Sequence, residues 1–229
     1  MTDTLRNLEA KLIACRRCPR LVAWREEVAR TKRRAYADQP YWGKPVPGFG
    51  DPHAKVMIVG LAPGAHGSNR TGRMFTGDAS GDFIYPALHQ AGFASQPTAE
   101  EKGDGLTLIG TFITAICRCV PPKNRPKVAE IKNCLPWLEA EVEVLSNLQG
   151  FVALGRIAFE SIRRMYKQKE VNLPQMAFAH NAFYELGNGL PWLLASYHPS
   201  QQNTLTGRLT QDMFDDIWRH AREKLSNSN

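Results

Sequence analysis

The chain has 229 residues, of which 43% are hydrophobic and 22% charged, with a net charge of +7 at pH 7. That length fits one large domain or two small ones, the proportions exclude wholesale disorder, and no apolar run approaches the ~20 residues of a membrane-spanning helix. The first residues, MTDTLRNLEAKL, carry acids and lack the apolar stretch of an export signal, so a cytoplasmic protein is expected.

Residues 4–14 and 20–35 are predicted helices. They carry most of the excess charge. Residues 1–50 contain 11 Lys and Arg against 5 Asp and Glu, a net +6, and the remaining 179 residues net +1. Such a segment suits a polyanionic partner, although a solvated helix face would read the same. Residues 36–54 (YADQPYWGKPVPGFGDP onward) are rich in Pro, Gly and aromatics and read as an irregular arm. KVMIVGLAPG, 55–64, is a buried strand entering a Gly-rich loop. A helix is expected over 82–92, a strand over 106–117 and a long helix over 127–147. FVALG, 151–155, is a strand turning straight into a helix at 156–168. MAFAH, 176–180, and PWLLASYH, 191–198, read as further strands, and 209–226 as a closing amphipathic helix. Only the tail SNSN reads as disordered.

Strands alternating with helices predict an α/β fold: a single three-layer α/β/α sandwich around a mostly parallel central sheet. One domain over 1–229 is expected, with the basic helices and arm of 1–54 packed on it. Nothing in the sequence demands a dimer, so a monomer is expected.

Five cysteines, an odd number without an export signal, argue against a disulfide framework. Cys15 and Cys18 form a C-x2-C. Cys119 and Cys134 bracket CVPPKNRPKVAEIKNC, with Cys117 beside them in CRC. Two thiolates on a tight turn can face one metal centre, and a second pair can complete a four-sulfur shell. Cys15, Cys18, Cys119 and Cys134 are the expected ligands. Alternation along FITAICRC puts Cys117 and Cys119 on one face, so spacing alone does not choose between them. Nor does it separate zinc from an iron–sulfur cluster, although the second pair is too widely spaced for an ordinary zinc ribbon.

In parallel α/β sheets, sites lie beyond the carboxyl ends of the strands. Three loops leave those ends with unusual content: GLAPGAHGSNRTGRMFTGDASGD, CRCVPPKNRP and YHPSQQNTLTGRLT. Taken together, GLAPG…NRTGRMFTGD and the late HPS resemble the uracil-DNA glycosylase superfamily. The four cysteines resemble its iron–sulfur groups, and Leu61 and Ala115 resemble its family 5 (type-5) members. The likeness runs from Cys15 to about Thr210. It implies a [4Fe–4S] cluster on Cys15, Cys18, Cys119 and Cys134. It also implies removal of uracil and other deaminated bases from DNA without strand cleavage, starting base excision repair.

The residues can be read physically beside that resemblance. A base inside a duplex must be flipped into a pocket, where a flipped pyrimidine needs an aromatic face. Phe75 is the candidate face, with Ala62 and Ala115 beside the base. Breaking the glycosidic bond builds positive charge on the sugar and negative charge on the leaving base. His198 is expected to donate to the base oxygen. Related families place a polar residue in the first loop to position water, and here that place is Leu61. Asp78 is therefore assigned to orient water or steady the sugar cation, against its reading as a helix cap, with Asp82 as the fallback carboxylate. Related iron–sulfur enzymes carry an Asn where this chain has Ala115. Its loss predicts a broader pocket that admits hypoxanthine and xanthine as well as uracil.

Gly64 and Gly67 can offer backbone N–H groups to phosphates. Arg70, Arg73, Lys123, Arg125 and Arg208 can neutralise them. Gln201, Gln202 and Asn203 could fill the hole left by the flipped base. No nucleotide-cofactor motif is present. No lysine lies in the motif core of these loops, so a Schiff-base lyase step is not expected. A cluster-bearing nucleic-acid-binding module without chemistry is the alternative.

Overall fold

The computed structural model describes residues 2–187 and 189–226. Its elements run α1 (Asp3–Ile13), α2 (Pro19–Thr31), β1 (Phe49–Gly50), β2 (Val56–Gly60), α3 (Ser68–Thr71), α4 (Ala79–Gln90), β3 (Thr111–Ala115), α5 (Val128–Val144), β4 (Gly150–Leu154), α6 (Arg156–Gln168), β5 (Phe183–Tyr184), β6 (Trp192–Ser196), α7 (Gln201–Leu205) and α8 (Gln211–Ser226). The sheet order is β1-β3-β2-β4-β6-β5. The four inner strands are parallel, and the two-residue edge strands β1 and β5 are antiparallel.

Every residue of β2, β3, β4 and β6 is buried, as expected when helices cover both faces of a parallel sheet. Strand alternation then splits the interior into two layers. Val56, Ile58, Ile113, Val152 and Leu194 join Ile84, Leu88, Phe214 and Trp218 from α4 and α8. Met57, Val59, Phe112, Phe151 and Leu193 face the other way, onto Leu5, Leu138, Phe159 and Ile162 from α1, α5 and α6. This is the expected α/β/α sandwich.

Three expected elements differ. The strand predicted over 106–117 shortens to Thr111–Ala115, because Gly110 has φ 63° and residues 106–109 turn aside, with an isolated bridge between Leu108 and Ala94. Residues 176–180 form no strand. Ala177 instead bonds the Tyr184 hydroxyl through both its N–H and its C=O, and Asn181 at φ 59° turns the chain into β5. The helix predicted to residue 35 stops at Thr31, where Lys32 takes φ 53°. Residues 227–229 of the SNSN tail lie outside the described residues.

The topology places the site. From β2 the chain passes to β3 on one side, and from β4 it passes to β6 on the other. The strand order therefore reverses between β2 and β4, which is where ligands enter such sheets.

Candidate active site

One cleft of about 1780 Å³ opens at this carboxyl edge. Phe75, Asp78, Ala62 and Ala115 line it, and so does His198 from beyond β6. Small-molecule pockets run to roughly 300–1,000 Å³. A cleft this size has room for more than one nucleotide unit.

Phe75 has φ 51°, a conformation that is an outlier for a bulky side chain. The loop after β2 holds it by close packing. A Cβ on Gly60 would lie 2.9 Å from the Phe75 ring, so only glycine ends β2 without displacing it. Phe75 and His198 lie ring to ring, with centroids 5.9 Å apart and planes tilted by 34°. Among the described residues, neither imidazole nitrogen has a hydrogen-bond partner. The His198 backbone is fixed instead: its carbonyl accepts from Ser200 N at 2.8 Å and from Asn203 Nδ2 at 2.8 Å. Burial pushes His198 down to about 4, so its ring is neutral at physiological pH.

Asp78 divides its two oxygens. Oδ1 caps α4, accepting from Ser80 N at 3.1 Å and Gly81 N at 3.2 Å. Oδ2 faces the Gly64–Gly67 turn. A Cβ at Gly64 would lie 2.8 Å from it, and one at Gly67 would overlap the carboxylate. These two glycines make room for a carboxylate, a reason the sequence did not suggest. Burial pushes Asp78 above the usual Asp value, only partly offset by its two backbone bonds. Asp82, the fallback, also lines the cleft.

The expected phosphate ligands separate. Gly64, Gly67, Lys123, Arg125, Gln201 and Gln202 line the cleft. Arg70 lines it too, but its guanidinium donates to His66 O, Gly77 O and Gln39 Oε1, and stacks on Tyr36 at 4.1 Å. Arg73 does not belong with the phosphate ligands. It is 4% exposed and bonds both oxygens of Asp104, at 2.7 and 2.6 Å. The ion pair keeps an otherwise costly charge inside. Asn203 lies outside the cleft lining, holding the His198 carbonyl, and Arg208 lies over the Tyr197 ring at 4.8 Å. Sequence reasoning missed Tyr41, whose hydroxyl meets His66 Nδ1 at 2.9 Å. Leu205, at the end of α7, is 83% exposed and lies outside the cleft lining.

The cysteines come from separate elements. Cys15 follows α1, Cys18 precedes α2, Cys119 follows β3 and Cys134 sits in α5. Donors aim at three of the sulfurs: Arg25 Nη1 to Cys119 at 2.9 Å, Arg118 N to Cys134 at 3.3 Å and Asn133 Nδ2 to Cys18 at 3.7 Å. Cys15 and Cys134 lie close enough for their charges to act on both Cys18 and Cys119. Cys117 is fully buried near Cys134, and both thiols are free. Among the described residues, no three His, Cys, Asp or Glu side chains gather around a point that would hold one metal ion.

The fold and the cleft have their counterpart in a known family: the chain belongs to the uracil DNA glycosylase superfamily, whose pattern matches residues 47–222. It is 54% identical to the type-5 uracil-DNA glycosylase of Thermus thermophilus over 92% of this chain and 94% of that protein. It is 52% identical to that of Mycobacterium tuberculosis over 95% and 80%, and 41% identical to that of Pyrobaculum aerophilum over 92% and 89%. Within the superfamily, the chain belongs with the type-5 uracil-DNA glycosylases.

Proposed function

We propose that this chain hydrolyses the bond between C1′ and the base nitrogen of uracil in DNA, and of hypoxanthine and xanthine, as the first step of base excision repair. The observation that carries the reading is the meeting of Phe75, Asp78 and His198 in one cleft at the strand-order reversal. The extruded base stacks on Phe75. The neutral His198 ring donates to the base oxygen as negative charge builds there. The Asp78 Oδ2 carboxylate steadies the sugar as its bond to the base lengthens, and directs water to C1′. The water oxygen joins C1′ and the base leaves with the bonding pair and takes up a proton. Leu61 cannot polarise water, so the role falls to Asp78. Leu205, exposed at the end of α7, enters the stack where the base was.

Ala115 supports the wider substrate range. It ends β3 in the pocket wall, with no amide to reject a purine. The cysteines fit a [4Fe–4S] cluster on Cys15, Cys18, Cys119 and Cys134. Donors reach three of these four sulfurs, as suits thiolates that would hold a cluster, since hydrogen bonds to sulfur are usual tuning contacts. When bound, the cluster supplies a covalent tie between the arm and the sheet, so that 1–54 belongs to a single domain with the rest. An enzyme of genomic DNA works inside the cell.

Incubation of a uracil-containing oligonucleotide with the protein, followed by alkali, should break the strand at the uracil. An intact strand would leave only nucleic-acid binding. Parallel oligonucleotides with hypoxanthine and xanthine should also be cut, and Ala115→Asn should narrow the range toward uracil.

A further inference from the structure

The far wall of the cleft is built from a part of the chain that the catalytic reading does not use. Trp42 is held rigidly there. Its N–H donates to Arg70 O at 2.8 Å, its indole Nε1 donates to Pro45 O at 3.0 Å, and its ring packs on Gly72. Onto that one indole converge two ammonium groups from distant segments, Lys44 at 5.5 Å and Lys102 at 5.2 Å from the ring centroid. Both lysines are exposed and both line the cleft. Among the described residues, neither pairs with a carboxylate, although Glu100 and Glu101 line the same wall.

Two like charges drawn to one spot repel each other. The indole face offsets part of that repulsion. An anion seated between them would offset the rest. The ligand that a cleft of about 1780 Å³ lined by Trp42, Phe75 and His198 brings past Trp42, on the glycosylase reading, is a strand carrying regularly spaced negative charges. We infer that Lys44 and Lys102, anchored on Trp42, form a phosphate site for the target strand, on a nucleotide flanking the flipped one. The inference rests on the reading of the cleft as a glycosylase site. It adds a grip on the strand away from the reacting sugar, made by the basic arm and the 99–102 segment together.

The test is a binding map. A uracil-free single-stranded oligonucleotide is made as a series, each member carrying one uncharged methylphosphonate at a successive position around a fixed abasic nucleotide. Wild-type protein should lose affinity at one flanking position. The Lys44→Ala/Lys102→Ala variant should bind the unmodified strand more weakly by roughly fivefold at low salt, with a salt slope shallower by about 0.7, the single-strand increment for one phosphate contact. At the position that matters for wild type, it should be indifferent to the methylphosphonate. Equal affinity and an unchanged slope would overturn the inference, and so would a variant that feels every methylphosphonate as wild type does. Failure of the protein to release uracil would instead overturn the proposed activity, and it would leave this binding map to be judged by itself.

Discussion

Asp78 caps α4 with one oxygen and turns the other toward the Gly64–Gly67 turn, so two substitutions separate the cap from the proposed chemistry. Asn caps a helix about as well as Asp, and Ala does not. Asp78→Asn should therefore reduce kcat by on the order of 10²–10³, the scale of a lost transition-state electrostatic partner, without lowering the melting temperature. Asp78→Ala should lose the same activity and also about 1 kcal/mol of stability. Because the fold holds the Asp78 proton more tightly than the unfolded chain does, stability falls as pH rises from the usual Asp value through the raised one. Asp78→Asn should remove that dependence. For His198 the sign reverses. The unfolded chain takes up the imidazole proton near 6.5, while the folded chain resists until about 4, so stability is lost as pH falls across that window. Urea denaturation at stepped pH should show the loss in wild type and not in His198→Gln. That Phe75 and His198 share one cleft was legible in the sequence because each follows a buried strand in a loop of unusual content. Arg73 was misread because its partner Asp104 lies 31 residues on, a separation that no local pattern reports.

The loop after β3 is fastened to α5 by a buried ion pair. Arg118, 1% exposed between Cys117 and Cys119, pairs with both oxygens of Glu141, at 2.8 and 2.5 Å, and the Thr114 hydroxyl donates to the same carboxylate at 2.7 Å. Glu141 thus ties the strand that ends in Ala115 to the helix that bears Cys134. Removing one member of a buried pair strands the other charge, so Arg118→Ala should destabilise by about 3–5 kcal/mol, read by denaturant melts. Arg118→Met with Glu141→Leu should recover most of that loss. The layered fold was readable here because continuous apolar runs in KVMIVG and FVALG mark buried parallel strands. The short elements were not. The strand expected at 176–180 was lost to a tyrosine hydroxyl, and α3 and α7 are too short to show a period.

At the scale of the whole molecule, Arg25 joins the parts. It is 2% exposed in α2 and donates to Cys119 and to the Cys15 carbonyl, so the N-terminal helices and the loop after β3 share one buried cation. Cys15→Ala should lower both thermal stability and DNA affinity, measured by calorimetry and by anisotropy. A variant as stable and as tightly binding as wild type would separate the arm from the site. The four ligand candidates were legible as a pattern of spacings, whereas Arg25 was not, because nothing local marks one arginine of a basic helix as an interior one.

The sheet is finished at each side by a strand only two residues long, β1 against β3 and β5 against β6. Such stubs leave few open backbone donors and acceptors at the rim, where another copy could add a strand. β1 belongs to the arm, so a chain shortened to begin after residue 54 would bare the flank of β3 over Thr111–Ala115. That shortened protein should self-associate on a sizing column, which would give residues 1–54 a second use: shielding one edge of the sheet from pairing with another copy.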